Sequence, residues 1–217
     1  DLGASKGIDV GSSVAERRSP KYLDILRTHC SLLTPEWQLK AKVIKPDIDA
    51  AYRFEPADEI AAIAAANGQK LHGHSLFWHS QPIPWAETGT FTEVRALYGA
   101  FIRDVVSRYP QIVSWDVFNE IVDIRDPLRA YGPIERFGLD FVEFCFRAAH
   151  EASPSARLVI NDHSLECSRL WCGYKQHNML RVLEALLKRG APIHALVIQG
   201  HLSSTWKPWG TGTAQFA

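Results

Sequence analysis

The chain has 217 residues, 46% of them hydrophobic and 22% charged, the balance of an ordinary globular chain long enough to bury a substantial core in one or at most two domains. Lys plus Arg and Asp plus Glu both number 24, so formal charge is zero and nothing in the balance points to nucleic acid or another electrostatic partner. No apolar run approaches the roughly 20 residues that span a bilayer. The chain begins at Asp1 without methionine, which reads as a processed or excerpted product.

Six short apolar runs, taken in chain order, predict strands: GIDVGSSV (7–14), CSLLTP (30–35), KLHGHSL (70–76), SWDVFNE (114–120), RLVIND (157–162) and HALVIQGH (194–201). Near-continuous hydrophobicity is the mark of strands buried on both faces. Helices are predicted between them. PADEIAAIAAANG (56–68) opens on proline and acids and stops at Asn67-Gly68. TEVRALYGAFIRDVVSRYP (92–110) and GLDFVEFCFRAAHEASP (138–154) end at prolines, and KQHNMLRVLEALLKRGAP (175–192) carries apolar residues at helical spacing.

Strict βα alternation predicts a parallel sheet with right-handed crossovers. There is no glycine-rich phosphate turn after the first strand, which disfavours a doubly wound nucleotide fold. The expected fold is α/β, a TIM (β/α)8-type barrel, incomplete, with about six βα units over one domain, 1–217. An eight-stranded barrel takes about 250 residues, and the sixth run ends near residue 201. Strands 7 and 8 are therefore expected to be absent and the sheet to have two open edges.

Such barrels work at the C-terminal ends of their strands, and the polar residues collect there: His74 with Trp78-His79 beyond, Asn119-Glu120, Asn161-Asp162, and Gln199-Gly200-His201. The bland reading of Asn119-Glu120 is a strand-end polar pair meeting solvent or an arginine such as Arg125. The sharper one is catalytic. A carboxyl at the end of a hydrophobic strand is partly desolvated, which raises its pKa toward the range of a general acid, and an adjacent amide suits a sugar hydroxyl. Tryptophans fit that picture: Trp78 and Trp85 bracket FWHSQPIPW, and Trp171, Trp206 and Trp209 are expected in loops. Trp115 reads as core. Cys30 and Cys145 read as buried thiols. Cys167 and Cys172 flank SRLW and can close a small surface disulfide, favouring an oxidising compartment.

Together these residues resemble glycoside hydrolase family 10, the retaining endo-1,4-beta-xylanases. GHSLFWHSQPIPW resembles the family's third-strand motif and SWDVFNE its acid/base strand. LVIND is similar to the fifth-strand Asn-Asp, IQGHL to the sixth-strand motif, and LTPEWQLK to the second-strand Glu-Asn-x-x-Lys. The resemblance implies cleavage of internal β-1,4 bonds of xylan or a related β-1,4-glycan, with no cofactor, no metal, no nucleic acid and no membrane partner. It implies Glu120 as general acid/base and Asn119 holding a sugar hydroxyl, with His74 and Gln199 beside it. Trp78, His79 and Gln81 would line the same side, Glu36 and Lys40 would grip the next sugar, and His201 would hydrogen-bond the nucleophile. It further implies a secreted or periplasmic protein.

Three departures stand out. The family's nucleophile is a glutamate in a Thr-Glu-Leu-Asp-like stretch on the seventh barrel strand, and no such stretch occurs here; Asp162 and Glu166, the nearby acids, do not occupy its position. Trp37 stands where the family has Asn, and His163 where it usually has Tyr. The chain as given is therefore expected to be inactive. Two other readings are a sugar-binding or inactive remnant of a xylanase barrel, and a metal-dependent hydrolase using His72 and His74 with His163 and His201. For His72 the competing expectation is a buried ring bonded to backbone.

Overall fold

The computed structural model of the chain describes residues 3–201. Its strands are β1 (Gly11–Val14), β2 (Leu32–Pro35), β3 (Lys70–Gly73), β4 (Phe77–Trp78), β5 (Ile112–Asn119), β6 (Arg157–Asp162) and β7 (Ala195–Ile198). The helices are α1 (Pro20–His29), α2 (Ala41–Ile44), α3 (Glu55–Ala66), α4 (Phe91–Arg108), α5 (Gly132–Ala152) and α6 (Leu170–Lys188). All pairings are parallel, in the order β1-β2-β3-β5-β6-β7, with the two-residue β4 resuming the β3 position against β5. This is an α/β half-barrel of six parallel strand positions. Among the described residues β1 and β7 each pair on one side only, so both edges are open, as expected.

The differences from expectation are local. Residues 7–10 are exposed and join no ladder, so the first strand starts at Gly11. The third run breaks after Gly73, where the His74–Ser75 peptide bond is cis, and resumes at Phe77. Helix α1 was not anticipated; Ser19 caps it by accepting from the Tyr22 N–H, and Pro20 opens it. Helix α5 starts at Gly132, six residues before the expected start, and kinks at Gly138, whose φ of 56° is left-handed. Helix α6 begins at Leu170, so Trp171 sits in its first turn and not in a loop. Trp206 and Trp209 lie outside the described residues.

The core lies between the sheet and its covering helices. Phe77 and Phe118 stack at 4.9 Å between ring centres, and Tyr98 of α4 and Phe141 of α5 close on them at 4.8 and 5.7 Å from Phe77. Such pairs add about 0.5–1.5 kcal/mol each beyond their buried area. Trp115 is fully buried, as expected, and the ring lies directly against Gly73 on the neighbouring strand. Cys145 is buried and Cys30 half-buried, both as free thiols. Cys167 and Cys172 are joined by a disulfide, but at 2% and 0% exposure it is buried and not on the surface. No helix among the described residues is long and apolar enough to cross a membrane.

Candidate active site

Strand β5 carries the centre of the site, and an irregularity decides what it presents. Its ladder with β6 shifts register between Asp116 and Phe118. Simple alternation would place those two side chains on one face. Instead Phe118 packs on Phe141 and Phe146 of α5, while Asp116 bonds to His72, His74 and Asn161. The extra residue, Val117, turns the strand over, so that Asn119 reaches across to Gln199 at the end of β7.

Glu120 follows with φ of 60°, a left-handed conformation that costs a non-glycine residue on the order of 1–3 kcal/mol. Its backbone is held on both sides. The N–H donates to Asn161 O at 2.7 Å, and the carbonyl accepts from Arg129 Nε at 2.9 Å. An arginine does meet this strand end, but it is Arg129, not Arg125. The carboxylate faces Gln199, whose Nε2 lies 3.2 Å from Glu120 Oε1 and 3.1 Å from Asn119 Oδ1. His79 Nδ1 stands 3.8 Å from Glu120 Oε2.

The electrostatics of Glu120 correct the sequence-based expectation. Burial does push its carboxyl up, as expected. The nearby Trp78 indole, donation from Gln199 and the neighbouring His163 and His79 outweigh it, so the pKa lies below the ordinary glutamate value. The Trp78 indole N–H acts on the carboxylate by proximity, without reaching full hydrogen-bond geometry. His79 is itself held below the ordinary histidine range, by burial first and by Arg129 next, which makes it neutral at neutral pH.

The remaining expected residues fall into place unevenly. Lys40 is buried with Nζ 4.5 Å from the centre of the Trp78 ring, a cation–π contact. Burial lowers its pKa, against the pull of Glu36 and Glu120. Glu36 is exposed and touches Lys40 through charge alone, and Trp37 is half-buried. His201 is exposed and approaches Gln199 Oε1 at 2.7 Å. Gln81 sits in the turn after β4, its backbone N–H donating to Trp78 O at 2.9 Å. Trp85 is spent on structure: its Nε1 donates to Lys45 O and its ring packs against the core.

A cavity of about 260 Å³ flanks Glu120, lined by His79, Val122, Arg129 and His163 among others. His163 is fixed there: Nδ1 lies 2.8 Å from Ser164 Oγ, and Lys175 Nζ donates toward Nε2 at 3.1 Å. Burial and the Lys175 charge hold its pKa down. Lys175 in turn pairs with Asp162 Oδ1 at 2.6 Å, and both side chains are almost wholly buried. Asp162 also accepts from the N–H groups of Val122 and His163. So Asp162 is committed to structure and is not free to attack a substrate.

Sequence reasoning passed over three residues. Asp116 accepts from His74 Nδ1 at 2.7 Å, His72 Nε2 at 3.1 Å and Asn161 Nδ2 at 3.1 Å, all at Oδ2, and its pKa is near 2. Burial raises that pKa; the two histidines more than reverse it. Its signal was an acid inside an apolar strand beside a His-x-His pair. Lys175 was signalled by a cation on the apolar stripe of α6, and Arg129 by nothing visible. His72 bonds Ser114 Oγ at 2.7 Å as well as Asp116, so its partners are side chains, not backbone. Among the described residues no group of three His, Cys, Asp or Glu is disposed to hold a metal.

The family model for glycosyl hydrolase family 10 matches residues 1–215. A beta-1,4-xylanase of Dictyoglomus thermophilum is 36% identical over 200 residues, 91% of this chain and 55% of that protein. Endo-1,4-beta-xylanase B of Paenibacillus barcinonensis is 33% identical over 88% of this chain and 59% of its own length. The chain thus spans little more than half of these relatives. The crystal structure of xylanase 10B from Thermotoga petrophila in complex with xylobiose superposes with a TM-score of 0.84 at 30% identity, covering 92% of this chain and 62% of that one.

Proposed function

Since the chain belongs to glycosyl hydrolase family 10, we propose that it forms the larger part of a retaining endo-1,4-beta-xylanase barrel in which Glu120 is the general acid/base. The observation that carries this reading is the convergence of Asn119, Glu120 and Gln199 within hydrogen-bonding distance of one another at the strand ends. Around them stand Trp78 and His79, an aromatic face and a neutral imidazole suited to a sugar ring. Glu120 protonates the departing glycosidic oxygen, then takes a proton from the water that releases the glycosyl-enzyme.

A retaining mechanism needs a second carboxylate roughly 5–5.5 Å from the first. No described acid is placed for it, and we assign that nucleophile to residues outside these 217. A second negative charge beside Glu120 would push its pKa upward, into the range of an acid. Without the second carboxylate the glycosyl-enzyme cannot form, and the chain alone is inactive.

A second reading, favoured by the same lack of an opposing carboxyl among the described residues, is a sugar-binding half-barrel without chemistry. Secretion fits the Cys167–Cys172 disulfide, since oxidising compartments preserve such bonds. The test uses a barrel completed with the missing strands of a relative. Glu120→Ala should abolish xylan cleavage yet spare glycosyl-enzyme formation from substrates with activated aryl leaving groups, which need no proton. Equal loss on both would refute the acid assignment, and xylanase turnover by the pure 217-residue chain would refute the placement of the nucleophile.

A further inference from the structure

We propose that Asp116 is a positioning residue that fixes the tautomer of His74, so that His74 offers a bare Nε2 as hydrogen-bond acceptor to a sugar hydroxyl. The part of this inference that concerns sugar rests on the glycosidase reading above; the part that concerns the imidazole does not.

The argument starts from one oxygen. Asp116 Oδ2 lies 2.7 Å from His74 Nδ1, 3.1 Å from His72 Nε2 and 3.1 Å from Asn161 Nδ2, while Oδ1 has no partner. Asn161 Nδ2 can only donate, and a carboxylate can only accept. Each imidazole must therefore turn an N–H toward Asp116 to avoid facing lone pair against lone pair in a site where Asp116 is 1% exposed. For His74 that places the hydrogen on Nδ1 and leaves Nε2 as an acceptor.

His72 Nε2 lies 3.1 Å from the same oxygen, and its Nδ1 lies 2.7 Å from Ser114 Oγ. Ser114, His72, Asp116 and His74 thus stand in one polar row between β5 and the end of β3. His72 and Asn161 stand beside the same carboxylate, and the His74 side chain is 20% exposed. A neutral histidine otherwise chooses between two tautomers according to what its other nitrogen meets. Here that choice is made before any ligand arrives. A hydroxyl bound at His74 must donate, which frees its own oxygen to accept from a neighbouring donor.

The test reads the tautomers directly, by nitrogen NMR of the 217-residue chain labelled at histidine, in mildly alkaline buffer. His74 should show a protonated Nδ1 and a bare Nε2. Asp116→Asn, which lets an amide N–H face the ring, should move the His74 hydrogen to Nε2 in a substantial share of molecules. A protonated Nε2 in the unsubstituted chain, or the same tautomer in both, overturns the proposal. If Asp116→Asn does not fold, the unsubstituted chain decides alone. Xylotriose affinity measured in parallel should fall roughly tenfold in the variant, the effect of misdirecting one hydrogen bond to a buried group. A chain that shows the tautomer but does not bind xylotriose counts against a sugar hydroxyl at His74 and leaves the positioning role intact.

Discussion

Gln199 Nε2 lies within 3.2 Å of Glu120 Oε1, joining the ends of two strands that are not neighbours in the sheet, with β6 between them. The same nitrogen reaches Asn119 Oδ1, so one amide ties the carboxylate to the residue beside it. Donation to a carboxylate favours its charged form. Replacing Gln199 with leucine should therefore raise the pKa of Glu120, measured by carbon NMR titration of its carboxyl. A Glu120 pKa that stays put or falls would show that Gln199 does not hold the charge.

Asp116 supplies a pH signature of stability. Its native pKa near 2 lies below the ordinary value of 3.8, so its contribution is fully present above about pH 4 and disappears as pH falls toward about 2. The difference is worth roughly 2 kcal/mol. Urea unfolding between about pH 5 and about pH 2 should show the unsubstituted chain losing that much more stability than Asp116→Asn. Parallel acid limbs would mean the carboxylate gains nothing from its histidines.

The Lys175–Asp162 pair is nearly solvent-free, with side chains 2% and 0% exposed. Removing one partner of such a pair leaves an uncompensated buried charge, at a cost of about 3–5 kcal/mol. Lys175→Met should destabilise the fold by that order in denaturant titration. Adding Asp162→Asn should recover part of the loss, because it removes the stranded charge while the amide oxygen can still accept from one of the two N–H groups, of Val122 and His163, that bond the two carboxylate oxygens. A double variant no more stable than the single one would place the defect in packing, not charge.

Gly73 is required by contact. A methyl group there would enter the ring of Trp115, which is fully buried one strand away. Overpacking of this kind costs about 1–3 kcal/mol. Gly73→Ala should lower the thermal midpoint, and Trp115→Phe in the same chain should restore part of it. A Gly73→Ala protein as stable as the parent would show that β3 and β5 can separate locally at this point.

Much of the site was legible because its residues lie next to one another in sequence at strand ends. Asn119-Glu120, Trp78-His79 and Gln199 were each exposed by an apolar run that stops on polar residues. Asp116 and Lys175 were harder to read because their partners are distant in sequence: 42 or more residues separate Asp116 from His72 and His74, and Lys175 meets Asp162 only through the fold of α6 onto β6. Arg129 was invisible, since a loop arginine gives no periodic signal, and Arg125 was the plausible wrong choice.

By itself the sequence determined the architecture. Alternating apolar runs and capped helical stretches leave few arrangements other than a parallel β/α sheet, and the motif order names the strand ends of the candidate site. Tertiary structure alone decided the direction in which the pKa of Glu120 moves. Desolvation can be guessed from a hydrophobic strand, but the opposing pull of Trp78, Gln199, His163 and His79 depends on distances that no local pattern encodes. It also decided which face Asp116 takes, because the register shift at Val117 arises from pairing with β6 and is not written in the alternation of β5 itself.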